Sequence, residues 1–334
     1  MMPGIGALRR DFIAVPSTAP VLRAGDGAPS PSLGDAVIAI GAFDGVHVGH
    51  RSLLAQTVAD ARSRGAAAVA VTFDPDPDRV VGPAPAPKLM GVADRLRALA
   101  ASGVDAVLVI PFTREVAGMD HAGFFDRVLA PRLRPLAVHV GSDFRLGRRG
   151  ASTVEVMRAW GADRGLEVVG HELVCDDGSA VSATRIRRLL RERRVEAAAS
   201  ELGRHPMLRG RIGSGRGQGT SMGFPTANIA VDEGLAVPGD GVYEGLALID
   251  GTVWPAAVNV GLPPTFAGDP HSAHLEANLI GFTGDVRGSE VALAFTRFLR
   301  PSRAFSSTDE LIETVLGNID DIRGELGDEG VRIA

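Results

Sequence analysis

A chain of 334 residues exceeds the usual single domain, so two domains with separate cores are expected. Its 35 Lys and Arg against 40 Asp and Glu leave a formal net charge of −5, which argues against a general nucleic-acid or membrane-surface binder but allows a local basic pocket. Cys175 is the single cysteine, so an intramolecular disulfide and a cysteine-based metal cluster are both excluded. No apolar run reaches the roughly 18 residues of a membrane span, the N-terminus lacks a charged start followed by an apolar core, and a cytoplasmic location is expected.

In chain order, residues 1–33 read as a loosely ordered extension ending in a Pro/Gly/Ser-rich stretch, residues 25–32. The apolar run 36–40 reads as a buried strand and 51–63 as an amphipathic helix. Strands at 66–73, 106–110, 137–140 and 166–168 then alternate with helices at 93–101, 124–129 and 154–162, and one further helix spans 183–198. Such alternation predicts an α/β, Rossmann-like domain: a doubly wound parallel sheet of about five strands, binding ligands at strand C-terminal ends where the order reverses. Beyond Leu202 the texture changes. Glycine recurs from 210 to 223, and β-type runs at 241–249, 252–260, 273–280 and 290–298 predict a small antiparallel β-barrel. Leu311, Ile312, Val315, Leu316 and Ile319 space a closing C-terminal helix over 308–322. The expected domains are 34–198 and 204–330.

Between the first strand and its helix lies "AIGAFDGVHVGHRSLL", residues 39–54. Backbone donors at that helix N-terminus face the sheet's ligand edge and favour phosphate. His47 and His50 beside them hydrogen-bond or, if protonated, neutralise charge on a phosphoryl group, while Gly45 and Gly49 admit close approach. Nucleotidyl transfer fits this arrangement. The alternatives are a tight turn capped by a histidine, and zinc ligation, for which the spacing is poorer.

In the second half "MGFPTANI", residues 222–229, sets Thr226 and Asn228 two apart, hence on one side of an extended chain. Two hard oxygens suit Mg²⁺ on a nucleotide. The glycine-rich segment 210–223 is read as a loop offering backbone donors to phosphates.

"GAFDGVHVGH" closely resembles the GxFDGVHxGH signature of prokaryotic bifunctional riboflavin kinase/FMN adenylyltransferases, also called FAD synthetases. "TFDPDP", "VGSDFRLGRRG" and "VSATRIRRLL" resemble that family's TFxPHP, VGxDFxFGxxxxG and SSTxIRxxL segments. "GFPTAN", "GDGVYEG", "AVNVGLPPTF" and "HLEANLIGFTGDVRG" resemble the riboflavin kinase segments GFPTAN, GVYA, NIGxRPTF and VEVHLLDFxGDLYG. The resemblance implies that His47 and His50 contact ATP phosphates and stabilise the transition state. It also places Gly41, Phe43, Asp44, Gly45, Gly49, Asp143, Ser182, Thr184 and Arg187 around the adenylylation site. In the kinase half it implies that Thr226 and Asn228 ligate Mg-ATP, that Gly223 and Pro225 border the nucleotide, and that Glu276 is the general base on the riboflavin hydroxyl. The substrates implied are riboflavin, FMN and ATP, with Mg²⁺ as cofactor and neither nucleic acid nor membrane as partner.

Read without the resemblance, Arg185, Arg187 and Arg188 are also consistent with a solvated helix face, and Asp143 with a turn cap. Several positions depart from the family pattern. Asp76 replaces a histidine, Ala183 a serine, Pro263 an arginine and Asn278 a histidine, and Thr220 stands near a usual Lys or Arg. Each loss of charge or donor predicts weaker phosphate or flavin binding, with Asp76 as a repulsive carboxylate. Alternative readings are a diverged paralogue with one activity or a modified flavin substrate, and a flavin-binding regulator without turnover.

Overall fold

The computed structural model describes residues 1–24, 32–213, 224–261 and 275–333. The chain divides into two compact units: Pro16–Ala86 with Val92–Ser182, and Met1–Val15 with Pro87–Gly91 and Ala183–Ala334. Within the segment 1–33, expected to be loosely ordered, residues 1–24 carry a helix and a short strand. Helix α1 (Ile5–Asp11) buries Leu8 and is followed by buried Phe12, and strand β1 is Val21–Arg23.

The first unit carries β1, β2 (Asp35–Ile40), β3 (Ala67–Phe73), β4 (Ala106–Ile110), β5 (Arg134–Gly141) and, after two short strands β6 (Arg145–Leu146) and β7 (Ser152–Thr153), β8 (Glu167–His171). A short hairpin of β9 (Cys175–Asp176) and β10 (Ser179–Ala180) follows. The main sheet runs β1-β4-β3-β2-β5-β8, every neighbour parallel. It has six strands, not about five, because Val21–Arg23 adds in register to Val107, Leu108 and Val109. Three residues are too short for periodicity to reveal. Strand β2 lies between β3 and β5, so the winding reverses beside it, and the expected ligand edge is the C-terminal end of β2 and β5.

Runs such as Ile38, Ile40, Val69, Val71, Leu108 and Val138 are buried and join one core with Phe124, Phe125 and Met157, as strands covered on both faces require. Helix α2 (Val48–Arg64) turns Leu53, Leu54, Thr57, Val58 and Ala61 inward, one stripe at helical spacing. It stops at Gly65, whose φ of 64° lets its N–H reach the Ala61 and Arg62 carbonyls. The remaining helices are α3 (Pro77–Val81), α4 (Val92–Ala100), α5 (Arg114–Gly118), α6 (His121–Phe124) and α7 (Val154–Ala162). The helix expected at 124–129 is α6 running into a π-helical turn, Phe125–Leu129.

In the second unit, the single helix expected over 183–198 is two, α8 (Ala183–Arg191) and α9 (Val195–Leu202). Arg193 breaks it in the left-handed region, with φ 64°, and its Nε donates to the Asp240 carbonyl at 2.7 Å. Strands β11 (Met207–Gly213), β12 (Ala227–Val231), β13 (Gly241–Ile249), β14 (Thr252–Val260), β15 (Leu275–Leu279) and β16 (Glu290–Arg300) form the barrel, before helix α10 (Thr308–Leu326) and strand β17 (Val331–Arg332). The antiparallel order β13-β16-β11-β12-β15-β14 closes on itself through a β13–β14 pairing. The described part of the glycine-rich segment, 210–213, is strand and not loop. A side chain at Gly210 would collide with the Ala230 carbonyl across the β11–β12 pair, so the glycine serves strand approach. Asp11 of α1 accepts from the His205 backbone N–H at 3.0 Å, which ties the first helix to this unit.

Candidate active sites

The turn after β2 is a strained, buried elbow. Phe43, Gly45 and Val46 have φ of 53°, 80° and 39°, and for branched Val46 that conformation is costly. His47 then sits in extended backbone and opens α2, its carbonyl accepting from Arg51 N at 3.0 Å, while its side chain makes no capping hydrogen bond. The capping alternative therefore does not describe this histidine. His47 and His50 stack at 3.6 Å between ring centroids, and Phe43, buried beneath, meets His50 edge-on at 5.2 Å. Gly49 gives the stack room: a Cβ there would lie 3.2 Å from the His47 ring. Gly41 likewise leaves room for the Phe43 ring, 3.3 Å from where its Cβ would be. Asp44 and Gly45 are buried within the elbow.

Burial, and then the neighbouring His47, hold the His50 imidazole well below its ordinary pKa. At neutral pH His50 is thus an uncharged donor or acceptor, the hydrogen-bonding member of the two roles the sequence allows these imidazoles.

Across the reversal point, Asp143 follows β5 in an exposed turn, its Oδ1 3.0 Å from the Cβ position of Gly141. The fold thus brings residues 41–50 and Asp143 to one sheet edge. Ser182 ends the first unit, whereas Thr184 and Arg187 lie on α8 in the second; Thr184 is exposed, and Arg187 Nε donates to the Pro87 carbonyl at 2.6 Å. The arginines of α8 are not one solvated face: Arg185 pairs with buried Glu201, and Arg188 is exposed beside Glu192.

Asp76 is not the open, repulsive carboxylate the sequence suggests. It is buried and paired with buried Arg95 of α4, so its charge is compensated locally. Sequence reasoning also missed a titratable chain on β5 and β8. His139 Nε2 donates to Asp60 Oδ2 at 3.0 Å, and His139 Nδ1 accepts from His171 Nε2 at 2.8 Å, roles assigned from the network. Burial and the adjacent His139 lower the His171 pKa. Burial pulls the Asp60 carboxyl up, but the hydrogen bonds from Arg64 and His139 prevail and hold it down.

In the barrel, register does what spacing alone cannot. Asn228 on β12 stands directly opposite Glu276 on β15, which in turn stands opposite Asn259 on β14. Directly opposed residues share a face, at roughly 4.5–5.5 Å between Cβ atoms. Flanking Ala227, Ile229, Leu275, Ala277, Val258 and Val260 are buried, so the polar row occupies the other face of these strands, and Thr226 immediately precedes β12. Asn259 was not singled out from the sequence, although it stands in the quoted segment "AVNVGLPPTF". The side-chain oxygens of Thr226 and Asn228 are hard donors of the kind Mg²⁺ takes beside nucleotide phosphates. Among the described residues no cluster of three or more His, Cys, Asp or Glu is arranged to hold a metal by itself.

Asn278 is buried, and its Nδ2 donates to the Pro225 carbonyl at 2.8 Å. Here the departure from the family pattern keeps a donor and uses it to tie β15 to the segment carrying Thr226. Gly223, Thr220 and Pro263 lie outside the described residues.

Comparison with known proteins matches residues 30–185 to the FAD synthetase family and residues 202–326 to the riboflavin kinase family. The bifunctional riboflavin kinase/FMN adenylyltransferase of Pseudomonas fluorescens is 34% identical over 275 residues, covering 82% of this chain and 88% of that protein. Its counterpart in Escherichia coli K12 is 32% identical with the same coverage, and that of Bacillus subtilis 29% identical, covering 84% and 89%. Among solved structures, one described as a macrolide-efflux protein from Streptococcus pneumoniae superposes with a TM-score of 0.79 at 26% identity, covering 91% of this chain and 98% of that one. No helix among the described residues is long and apolar enough to cross a membrane.

Proposed function

The chain belongs to the bifunctional riboflavin kinase/FMN adenylyltransferase family, and from that premise we propose how its residues divide two transfers from ATP. The enzyme phosphorylates riboflavin to FMN and adenylylates FMN to FAD with release of pyrophosphate. Residues 34–198 carry the adenylyl transfer and residues 204–330 the kinase reaction, a division the two family matches support.

In the kinase half Glu276 accepts the proton of the riboflavin hydroxyl, whose oxygen then attacks the γ-phosphorus and displaces ADP. Thr226 and Asn228 hold Mg²⁺, which supplies charge neutralisation on the phosphates when bound, and Gly223 and Pro225 border the nucleotide. The observation that carries this assignment is the register setting Asn228 opposite Glu276. In the adenylylation half an FMN phosphate oxygen attacks the α-phosphorus of ATP in line with the departing pyrophosphate. His47 and His50 contact the phosphates as the transition state forms, and the α2 N-terminus supplies backbone donors. Gly41, Phe43, Asp44, Gly45 and Gly49 shape the cradle, with Asp143 and Ser182 of the same unit beside the nucleotides, and the family resemblance gives Thr184 and Arg187 a part in holding phosphate. Positioning and electrostatics do the work, and no protein nucleophile takes part. The enzyme acts in the cytoplasm on small molecules.

The test supplies riboflavin and FMN separately with Mg-ATP and separates the products by chromatography. FMN and FAD are expected from riboflavin, and FAD from FMN. A protein that quenches flavin fluorescence yet yields neither product is a binding regulator, and a single product marks a chain with one surviving reaction.

A further inference from the structure

The buried ion pair behind β3 has no part in the chemistry above. Arg95 projects from α4, and Asp76 closes the turn after β3 at the position just before α3. The Arg95 and Asp76 side chains keep only 3% and 5% of their exposure. The Asp76 side chain does not cap α3. It meets one terminal nitrogen of Arg95, while the other donates to the Phe73 carbonyl at 2.7 Å. One guanidinium thus grips both ends of the Phe73–Asp76 turn, a fork that a lysine cannot reproduce.

What that turn adjoins gives the pair its meaning. Strand β3 is the register partner of β2, and its end holds the start of the histidine elbow. Gly41 N donates to the Val71 carbonyl at 3.1 Å, and Thr72 Oγ1 to the Ala42 carbonyl at 3.4 Å. A continuous run of hydrogen bonds and covalent neighbours therefore leads from Arg95 through Phe73 and Thr72 to residues 41–50. The elbow is itself strained at Phe43 and Val46, so it depends on what surrounds it.

We propose that Arg95 and Asp76 form one positioning unit that fixes the end of β3, and through it the His47–His50 elbow, for adenylyl transfer. Arg95 is a positioning residue, and Asp76 is its counterion, not a ligand for phosphate. The proposal rests on the adenylylation reading of that elbow.

The test measures kcat and KM for FMN adenylylation in the full-length enzyme, with riboflavin phosphorylation by the same preparation as an internal control of folding. Arg95→Met and Asp76→Asn are each expected to lower the adenylylation kcat about tenfold, with the KM for ATP held within about twofold, because misplaced groups chiefly lose transition-state contacts. The double variant Asp76→Asn/Arg95→Met removes both members of this ion pair together, so neither is left buried without the other, and guards against loss of the fold in either single variant. It is expected to match Arg95→Met, since both remove the same link. Arg95→Lys is expected to fall between Arg95→Met and the wild type. Riboflavin phosphorylation stays unchanged throughout. A double variant with wild-type adenylylation kcat overturns the inference, as does a parallel fall in both activities. If the wild type forms no FAD from FMN, the adenylylation reading fails and takes the inference with it.

Discussion

At the residue scale, the two sites depend on small groups as much as on reactive ones. Gly49 lets the His47 imidazole lie over the first turn of α2, and an added methyl would meet that ring at 3.2 Å. Gly49→Ala is therefore expected to lower FMN adenylylation by about tenfold, the scale of a misplacement below 1 Å. Riboflavin phosphorylation should not change. Stability should shift by less than about 1 kcal/mol, because alanine favours the helix while the ring must give way. Thermal denaturation alongside both assays separates these effects. Asp76 and Asn278 carry a different lesson. Both look like losses when read against a family pattern, yet one is neutralised by Arg95 and the other holds the Pro225 carbonyl. A side chain's charge or donor is visible in sequence; its partner is chosen by packing.

Elements were legible where the pattern was long and punctuated. The strands at 106–110, 241–249 and 252–260 and the helix at 154–162 stand where periodicity sets them. The break between α8 and α9 was not legible, since Arg193 is an ordinary helix former that takes a left-handed conformation to end α8. Helix α10 runs to Leu326, four residues beyond its expected end, and opens on a Ser307 cap whose partner Glu310 reaches back to the residue before it. Ser307 Oγ accepts from Glu310 N at 3.1 Å, and the Glu310 carboxylate accepts from Ser306 N at 2.8 Å. These Ser306 hydrogen bonds, followed by Arg303, hold the Glu310 carboxyl at about 2, below its ordinary 4.5. A depressed carboxyl pKa gives stability that is present above the unfolded value and lost as pH falls through the folded one. Glu310→Gln should accordingly lower the melting temperature at pH 7 and cease to matter as pH falls from 4.5 towards 2.

For the whole molecule, two sites on separate sets of elements imply two separable reactions. Glu276→Ala should abolish FMN formation and leave FMN-to-FAD conversion intact, and His47→Ala with His50→Ala should do the reverse. Loss of both activities in a folded Glu276 variant would refute independent sites. Acid sensitivity should also be uneven. His50 and His171, both in the first unit, are held below the ordinary histidine value of 6.5. The unfolded chain then binds protons that the folded unit refuses, so stability rises with pH through this range. On acidification the first unit should lose stability from about pH 6.5 downward. His171→Gln should reduce that slope, as read by melting temperature across pH 5 to 8.

By itself the sequence determined the α/β then β-barrel order and offered the candidate residues for chemistry, because hydrophobic period and glycine-bounded motifs are local properties. Tertiary structure alone decided which of those residues meet. Register across β12, β15 and β14 put Asn259 beside Glu276 and Asn228, and the parallel order set the reversal point between β2 and β5. Arg95, reaching from α4 to the end of β3, turned Asp76 from a repulsive charge into half of a buried pair. Pairing partners far apart in sequence are fixed only when cores close, since the same local pattern is compatible with many long-range registers.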